Sequence, residues 1–528
     1  MKRFNTTGVC IPEKHYMVDI SSRLARIKAM IDDGEYFCIN RARQYGKTTT
    51  LTMLRRMLIP NHEVISLDFQ DISAADFKTE GMFVQAFCRI IKSKTRTGLF
   101  IPKEIVETLD EYIGRSKEKA KLQELFELLT DWCASVGKDI VLIIDEVDSA
   151  TNNQVFLDFL AQLRSGYIKR DSEGYPAFKS VILAGVTDVK HLRSKIRDEK
   201  LHQLNSPWNI AVDFNIDMSL SSEGIAGMLE EYEADHKTGM NIEEIAKLLR
   251  DYTNGYPFLV SRICQLIDGE VVNGFGLSKA WTKDGFDEAI KLILTEKNTL
   301  FDSLTGKLIN YPELRDALYS VLMEGTRITY NPMQESILQM EMYGFIVNDG
   351  GVIAVSNRIF ETLLYNLFLS DADFKDNVFG RNGDLGRSIF IHDDVLDVPL
   401  IMDHFIKTYT EVCGPLVDKF REKDGRELFL LYLKPIINGT GNYYIEAQTR
   451  DQRRTDVIID YLGKQYIIEL KIWHGNSYNE KGEQQICEYL DYFGLDSGYM
   501  LSFNFNRKKE TGVKRKTFGS KVLFEGML

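Results

Sequence analysis

Short, largely apolar runs alternate with segments of helical periodicity through residues 1–215 of the chain. The runs Phe37 to Asn40, Val64 to Phe69, Ile140 to Ile144 and Val181 to Gly185 have the length and the β-branched content of strands. Because helical segments separate these runs, we expect a parallel sheet with helices on both faces. Ligands bind such sheets at the carboxyl ends of the strands.

Two motifs fall at the predicted carboxyl ends of the strands. Gly46-Lys47-Thr48 follows the first run, at a strand-to-helix turn where backbone N–H groups face phosphate, the lysine adds a cation and the threonine hydroxyl can ligate Mg²⁺. The third run ends in Asp145-Glu146, which can hold the Mg²⁺ shell and polarise an attacking water. The two motifs predict a nucleoside triphosphate site, although Gly-Lys-Thr alone also suits an ordinary helix start.

The phosphate loop departs from the usual Gly-x-x-x-x-Gly-Lys-[Ser/Thr] pattern, because its first position is Arg41. Arginine lacks the tolerance of glycine for positive φ, so the chain is expected to enter the loop differently. Arg41 and Arg43 add positive charge beside the loop. The residues that we assign to the nucleotide site are Arg43, Gly46, Lys47, Thr48, Thr49 and Asp145.

Four more polar residues extend this hypothesis. Thr187 lies at the tip of a strand that can neighbour the Asp145 strand, where it would position the attacking water; a plain strand end explains it equally well. Arg164 lies on the helix after Asp145, and Arg193 and Arg197 follow Thr187. Each arginine is a candidate for stabilising the transferred phosphate, with a solvated surface position as the alternative.

The pattern turns helical over residues 216–370. Tyr311 to Glu324 and Met333 to Met342 suit helices, and the segments Gly344 to Val347 and Val352 to Val355 predict a β-hairpin. Two helices followed by a hairpin are typical of a winged-helix module. Because this stretch has no dense basic run, we expect a lid over the nucleotide site rather than a DNA-binding module.

A second chemical site is predicted near the C-terminus. The runs Asp456 to Leu462 and Tyr466 to Trp473 suit a hairpin, in which Glu469 and Lys471 leave the same face and Asp456 converges on it at a sheet edge. Two carboxylates that hold Mg²⁺ and a lysine that orients water suit hydrolysis of a phosphodiester. A solvated, salt-bridged hairpin face is the alternative.

Further residues near this hairpin favour a catalytic site over a solvated hairpin face. Glu446 closes a strand-like run and can supply another carboxylate, and Gln485, on the following helix, can point back at the site. Arg507 to Lys509 and Lys514 to Lys516, flanked by phenylalanines, suit phosphate contacts, although a solvated loop explains them as well.

Composition sets broad limits on the function. The length of 528 residues favours about three or four domains, for which we predict the ranges 1–215, 216–370, 371–425 (a connector) and 426–528. A net charge of −12 argues against a nucleic-acid coat protein, and seven scattered cysteines suit reduced thiols. With no membrane span or signal peptide in the pattern, we expect a cytoplasmic protein without a membrane partner.

The motifs resemble a known protein family. Asn5 to Gly8, Tyr16 to Asp19, Arg41 to Thr48 and Asn254 to Phe258 are similar to the predicted AAA-ATPase-like family of bacteria and archaea, whose loop commonly reads Arg-x-Arg-x-x-Gly-Lys. The resemblance implies a P-loop NTPase sheet with a helical and winged-helix lid, ATP and Mg²⁺ as cofactors, and Arg41 as a typical residue. Such ATPases often act as rings, so a homo-oligomer is compatible.

The last hundred or so residues resemble the PD-(D/E)xK nuclease domain, an α/β restriction-endonuclease-like fold, through Arg454-Thr455-Asp456 and Glu469-Leu470-Lys471. The likeness implies that Asp456, Glu469 and Lys471 are catalytic, with Glu446 and Gln485 auxiliary.

Together these features predict an ATP-hydrolysing protein coupled to a Mg²⁺-dependent nuclease that acts on DNA, in the biology of mobile elements or of defence against them. The alternatives are a nucleotide-operated switch that binds nucleic acid without cutting it, and a scaffold in which both sites have decayed.

Overall fold

The computed structural model describes residues 2–115, 120–187, 189, 206–322, 326–368, 389–392, 395–413, 422–437, 441–448, 454–461, 464–473, 476–506 and 509–528. Internal contacts divide the chain into two compact units, one of Met1–Glu231, Tyr256–Ser261 and Gln339–Gly344, and a second of Tyr232–Gly255, Arg262–Leu338 and Phe345–Leu528. In the part of the chain that the structure describes, every helix is too short or too polar to cross a membrane.

The first unit is built on a parallel sheet. Its strands are β3 (Tyr36–Asn40), β4 (Glu63–Asp68), β5 (Ile140–Asp145) and β6 (Ser180–Gly185), after a short parallel pair of β1 (Arg3–Phe4) and β2 (His15–Tyr16). Their order is β3-β6-β5-β4, with all neighbours parallel. All four predicted strands are therefore confirmed, and β6 neighbours the Asp145 strand as expected.

Helices cover both faces of this sheet. They are α1 (Ser21–Asp32), α2 (Lys47–Leu58), α3 (Glu80–Ser93), α4 (Lys103–Gly114), α5 (Leu122–Ser135) and α6 (Gln154–Glu173), with 3₁₀ turns at Phe69–Asp71, Lys94–Thr97 and Val147–Ser149. Alternate residues of the strands enter two hydrophobic cores: Leu142 and Ile144 of β5 lie in one, and Val141 and Ile143 in the other. Burial on both faces explains why these strands are continuous apolar runs.

An arginine joins the ends of three elements in this unit. The Arg170 guanidinium, near the end of α6, donates to the carbonyl oxygens of Gly34 (2.8 Å), Phe178 (3.0 Å) and Lys179 (2.7 Å). It also lies over the Tyr36 ring, 5.5 Å from the centroid. These contacts tie α6 to the segments that enter β3 and β6.

The second unit begins with helices. They are α7 (Ser222–His236), α8 (Ile242–Thr253), α9 (Pro257–Leu266), α10 (Val272–Phe275), α11 (Leu277–Ala280), α12 (Lys283–Thr295), α13 (Thr299–Asn310), α14 (Pro312–Leu322), α15 (Glu335–Met342) and α16 (Arg358–Phe368), with a π-helical turn at Ile267–Val271. Three of these helices belong in part to the first unit, which includes the start of α7, the start of α9 to Ser261 and the end of α15 from Gln339. The predicted hairpin is present as β7 (Ile346–Asp349) and β8 (Val352–Val355). Gly350 and Gly351 have positive φ in its turn, as tight hairpins require.

The C-terminal part of the second unit contains a six-stranded mixed sheet. Its strands are β11 (Gly441–Gln448), β12 (Arg454–Tyr461), β13 (Lys464–Ile472), β14 (Ser497–Phe503), β15 (Gly512–Phe518) and β16 (Lys521–Met527), in the order β11-β12-β13-β14-β16-β15. The short pair β9 (Ile391–His392) and β10 (Val395–Leu396) precedes it, and the associated helices are α17 (Val398–Cys413), α18 (Glu422–Ile437) and α19 (Asn476–Phe493). Strands β11 to β13 are antiparallel, whereas β13 and β14 are parallel and are joined through α19.

We expect Arg170→Lys to lower the free energy of unfolding by about 2–3 kcal/mol, because one ammonium cannot serve three carbonyl oxygens held by a guanidinium fork. The midpoint of urea unfolding measures the change. Arg89→Lys, at an exposed arginine on α3, is the control and should leave the midpoint unchanged. Equal midpoints for both variants would show that the Arg170 contacts contribute nothing.

Candidate functional site

The phosphate loop connects β3 to α2 in the predicted place. Gly46 has φ 81° and immediately precedes α2, a left-handed conformation that glycine adopts without strain. The Lys47 side chain is 5% exposed, and its Nζ donates to the carbonyl oxygens of Arg41 (3.0 Å) and Ala42 (3.1 Å) in its own loop. Burial lowers the pKa of Lys47, and the nearby Glu146, Asp148 and Asp145 carboxylates oppose that effect.

Thr48 and Asp145 meet directly. The Thr48 hydroxyl donates to Asp145 Oδ2 at 2.8 Å, although 97 positions separate the two residues in the chain. The other carboxylate oxygen of Asp145 accepts the Glu146 amide at 2.9 Å. Asp145 is 7% exposed, and burial raises its pKa against the lowering effect of these hydrogen bonds. The two predicted motifs therefore form one site.

Glu146 has an unusual backbone conformation beside this contact. Its φ of 53° lies in the left-handed region, which is costly for a glutamate. Burial raises the pKa of its carboxyl group, and the nearby Lys47 ammonium acts in the opposite direction. The turn thus holds a second, partly desolvated carboxylate next to Asp145.

Asp148 is a site residue that the sequence argument missed. Its carboxylate accepts the backbone amides of Val186 and Thr187, each at 2.7 Å, and so joins the turn after β5 to the tip of β6. A Cβ atom added at Gly185 would lie 3.0 Å from Asp148 Oδ2, so a larger residue there would crowd the Asp148 carboxylate. The contact fixes the predicted position of Thr187 at the strand tip. The sequence did contain one signal for this residue, because Asp148 is a third acidic residue, two positions after Glu146.

Other predicted residues have structural contacts. The Arg41 guanidinium donates to the carbonyl oxygens of Asn40 and Ile216, each at 2.9 Å, so it anchors the backbone rather than standing free beside the loop. The Thr49 hydroxyl accepts the Cys10 amide at 3.1 Å. The carbonyl oxygen of Arg43 accepts a hydrogen bond from the Tyr256 hydroxyl.

The candidate arginines are not brought to the nucleotide site by any described contact. Arg164 lies on α6 with its Nε buried, and among the described residues this atom has no hydrogen-bond partner. Arg193 and Arg197 lie outside the described residues. The choice of an arginine that contacts phosphate stays a prediction.

The second site lies on β11, β12 and β13 of the second unit. Val457 on β12 pairs with Ile468 on β13, so the antiparallel register places Asp456 opposite Glu469. Glu446 falls between the pairs Ile445–Val457 and Ala447–Thr455, and so aligns with Asp456. Three acidic positions therefore form one row across three strands. Opposed positions of antiparallel strands share a face of the sheet.

Lys471 contacts both of its predicted neighbours. Its Nζ lies 3.3 Å from Glu469 Oε1 and donates to Gln485 Oε1, also at 3.3 Å. Glu469 is 4% exposed. A Cβ atom added at Gly482 of α19 would lie 3.1 Å from Lys471 Nζ, so the helix packs closely over the amine. Gln485 on this helix thus reaches the site from outside the sheet.

Two details of the C-terminal prediction are corrected. Strands β12 and β13 are interior, because β11 pairs with β12 and β14 with β13, so Asp456, Glu469 and Lys471 do not lie on an edge strand, whereas Glu446 lies on the edge strand β11. The run around Glu446 continues to Gln448, which places Glu446 inside β11.

Carboxylates pair with part of the predicted basic clusters, Arg507 to Lys509 and Lys514 to Lys516. Lys516 lies 2.6 Å from Glu483 Oε1 and 2.5 Å from Glu525 Oε2, and Lys514 pairs with Glu510. Arg507 and Lys508 lie outside the described residues. The described lysines of β15 therefore already have carboxylate partners, which weakens the case for phosphate contacts there.

The phosphate loop, the Asp145 strand and the parallel sheet form a P-loop NTPase-like fold, and residues 13–366 match the family described as AAA-like domain. The chain belongs to the AAA-like domain family. The acidic row of the C-terminal sheet lies outside the matched residues. The AAA-like part therefore contains the nucleotide site alone, and the C-terminal site has to be argued from its own geometry.

Solved structures with similarity to this AAA-like chain are distant. A Walker-type ATPase of Pyrococcus abyssi is 14% identical with a TM-score of 0.46, and the match covers 69% of this chain and 99% of that one. The Thermotoga maritima RuvB R170A structure is 12% identical (TM-score 0.34; 66% and 95% covered), and the Aeropyrum pernix ORC1 protein in complex with DNA is 12% identical (TM-score 0.29; 66% and 93%). No curated protein matches the chain.

Because burial raises the pKa of Asp145, the folded chain holds that proton more tightly than the unfolded chain does. Protonation of Asp145 therefore stabilises the fold at pH values below the pKa of this group in the unfolded chain. This stabilisation is lost as pH rises through the pKa of the group in the folded chain. Without nucleotide or metal, we therefore expect Asp145→Asn to raise the midpoint of thermal unfolding at pH 7.5 by about 2–4 °C. The gain should shrink toward pH 4.

Asp139→Asn, at an exposed carboxylate just before the same strand, is the control and should leave the unfolding midpoint unchanged at both pH values. A loss of stability in Asp145→Asn that does not depend on pH would contradict the assignment of a buried, destabilising charge.

Proposed function

We propose that the AAA-like part of the chain binds ATP with Mg²⁺ and hydrolyses it. The observation that carries the proposal is the hydrogen bond between the Thr48 hydroxyl and the Asp145 carboxylate, with Lys47 buried in the same loop. The loop supplies the phosphate contacts, and the Asp145 strand supplies the acidic groups that act on metal and water.

The chemistry of the donors fits Mg²⁺. This ion takes hard oxygen ligands in octahedral geometry, in which adjacent ligand oxygens lie about 2.9 Å apart. Thr48 Oγ1 and Asp145 Oδ2 are hydroxyl and carboxylate oxygens 2.8 Å apart, so they suit adjacent ligands. Bound there, Mg²⁺ would neutralise charge on the triphosphate and compensate for the desolvation of Asp145.

The remaining groups divide the work of hydrolysis. Lys47 would exchange the carbonyl oxygens of Arg41 and Ala42 for phosphate oxygens, which carry full charge and so bind an ammonium more strongly. Glu146, with its raised pKa, would accept a proton from the attacking water. Thr187, fixed through Asp148, would help to orient that water.

For the C-terminal sheet, we infer a Mg²⁺-dependent nuclease acting on DNA. The support is the aligned row of Glu446, Asp456 and Glu469, with Lys471 3.3 Å from Glu469. Carboxylate oxygens suit Mg²⁺, which would lower the pKa of a bound water. Lys471, oriented by Gln485, would stabilise charge on the phosphodiester.

We expect Lys47→Ala to abolish tight ATP binding and Glu146→Gln to keep binding while slowing hydrolysis by about 10²–10⁴-fold, because only the second variant retains the phosphate contacts. Calorimetric titration with ATP and a phosphate-release assay measure the two effects. Lys138→Ala, at an exposed lysine, is the control for charge. Wild-type turnover in Glu146→Gln would exclude Glu146 as the base.

We expect purified protein with Mg²⁺ or Mn²⁺ to cut DNA, and Lys471→Ala or Glu469→Gln to slow cutting by about 10²-fold or more. Single- and double-stranded substrates, with and without ATP, should be compared. Lys464→Ala, at an exposed lysine on the same strand, is the matched control. Absence of cutting, or equal cutting by wild type and Lys471→Ala, would contradict the nuclease and favour a nucleotide-operated switch.

A further inference from the structure

Three segments of the first unit meet at the phosphate loop. One is the loop itself, residues 41–46, and the others contain Tyr256 and Gly344, which both belong to the same unit. A Cβ atom added at Gly344 would lie 2.9 Å from Ala42 Cβ and 3.7 Å from Tyr256 Cε2. The loop is therefore packed against two segments that lie far from it in the chain.

Tyr256 binds the loop at one backbone atom. Its hydroxyl donates to the carbonyl oxygen of Arg43, and the Tyr45 ring packs edge-on against its ring, with 4.7 Å between the centroids. Tyr256 is 2% exposed, and burial raises the pKa of its hydroxyl, so this group remains a donor at neutral pH. A hydrogen bond in such dry surroundings is costly to lose.

This contact fixes the direction of one peptide group. The described peptide bonds are all trans, and in a trans peptide the carbonyl oxygen and the following N–H point in opposite directions. Because the Arg43 carbonyl oxygen faces Tyr256, the Gln44 N–H points away from Tyr256. The carbonyl oxygens of Arg41 and Ala42 instead face the Nζ of Lys47. The loop therefore directs the Arg43 carbonyl oxygen to a different partner from the two before it.

Gln44 has a backbone conformation that residues with a side chain seldom adopt. Its φ of 56° lies in the left-handed region, and such conformations persist where the surrounding structure over-determines them. The bond between Tyr256 and the Arg43 carbonyl oxygen supplies one restraint immediately before Gln44. Backbone N–H groups around a left-handed residue form a concave surface that suits an anion, as a phosphate loop requires.

We propose that Tyr256 is a positioning residue for the triphosphate. By holding the Arg43 carbonyl oxygen, its hydroxyl aims the Gln44 N–H at the phosphate group that Lys47 would bind. This role rests on the proposed binding of ATP and deepens it, since Tyr256 would shape the loop without touching the nucleotide. In a loop that has Arg41 in place of the usual first glycine, an outside hydroxyl supplies part of the geometry.

The test compares full-length wild type and Tyr256→Phe in calorimetric titrations with Mg²⁺-ATP and with Mg²⁺-tripolyphosphate, which has neither base nor sugar. We expect the dissociation constants of both ligands to rise by about five- to tenfold, as the loss of one hydrogen bond predicts. Turnover at saturating ATP should change by less than about twofold, because the loop contact acts equally on bound substrate and transition state.

Tyr36→Phe is the matched control. Tyr36 is 1% exposed, and its hydroxyl donates to the carbonyl oxygen of Phe178 at 3.0 Å, at the start of β3 and so at the other end of the strand from the phosphate loop. This variant should keep wild-type affinity for both ligands even if its unfolding midpoint falls as far as that of Tyr256→Phe. The comparison separates a positioning role from a general loss of stability.

A second measurement needs no variant and so decides the matter even if Tyr256→Phe does not fold. Arg43-Gln44 is the one Arg-Gln pair in the sequence, so ¹³C at arginine carbonyls and ¹⁵N at glutamine amides together select this peptide in an NMR spectrum. We expect Mg²⁺-tripolyphosphate to move the Gln44 N–H signal of wild type. A signal that stays in place although calorimetry shows binding would overturn the proposal.

Two results with Tyr256→Phe would also overturn it. One is wild-type affinity for both ligands, and the other is a loss confined to ATP, which would place the effect at the base or the sugar. Absence of Mg²⁺-ATP binding by wild type would refute the nucleotide function itself, and the role of Tyr256 with it.

Discussion

The proposed nucleotide site depends on the hydrogen bond between Thr48 and Asp145. This bond joins the start of α2, which follows β3, to the end of β5. Strand β6 lies between β3 and β5 in the sheet. Only a parallel sheet brings these ends to one edge. The buried strands and the helices on both faces hold these strand ends in place.

Both proposed sites follow one electrostatic arrangement. In each, a nearly buried carboxylate lies near a lysine: Asp145 near Lys47, and Glu469 beside Lys471. Burial makes such a carboxylate unfavourable unless a cation or hydrogen-bond donors accompany it. A lysine alone compensates in part, and in the proposed functions a divalent ion would supply the remaining positive charge.

Much of the framework follows from the sequence, since strands buried on both faces must be apolar and the phosphate loop must follow one of them. A strand-turn-strand pattern predicted the β12–β13 hairpin, and the sequence indicated Gln485 as a neighbour of that site, where the structure shows that Lys471 donates to it. The sequence argument did not find the role of Asp148 or the anchoring of Arg41, because these contacts join residues that are far apart in the chain and carry no periodic signal. It also placed Asp456, Glu469 and Lys471 at a sheet edge, although β11 and β14 flank their two strands.

The left-handed backbone of Glu146 has an evolutionary consequence. Glycine or asparagine would occupy that conformation with less strain, so either substitution should stabilise the fold. In the proposed function, the need for a base would keep glutamate at this turn against that strain. Laboratory selection for heat tolerance alone is therefore expected to replace Glu146 with glycine or asparagine.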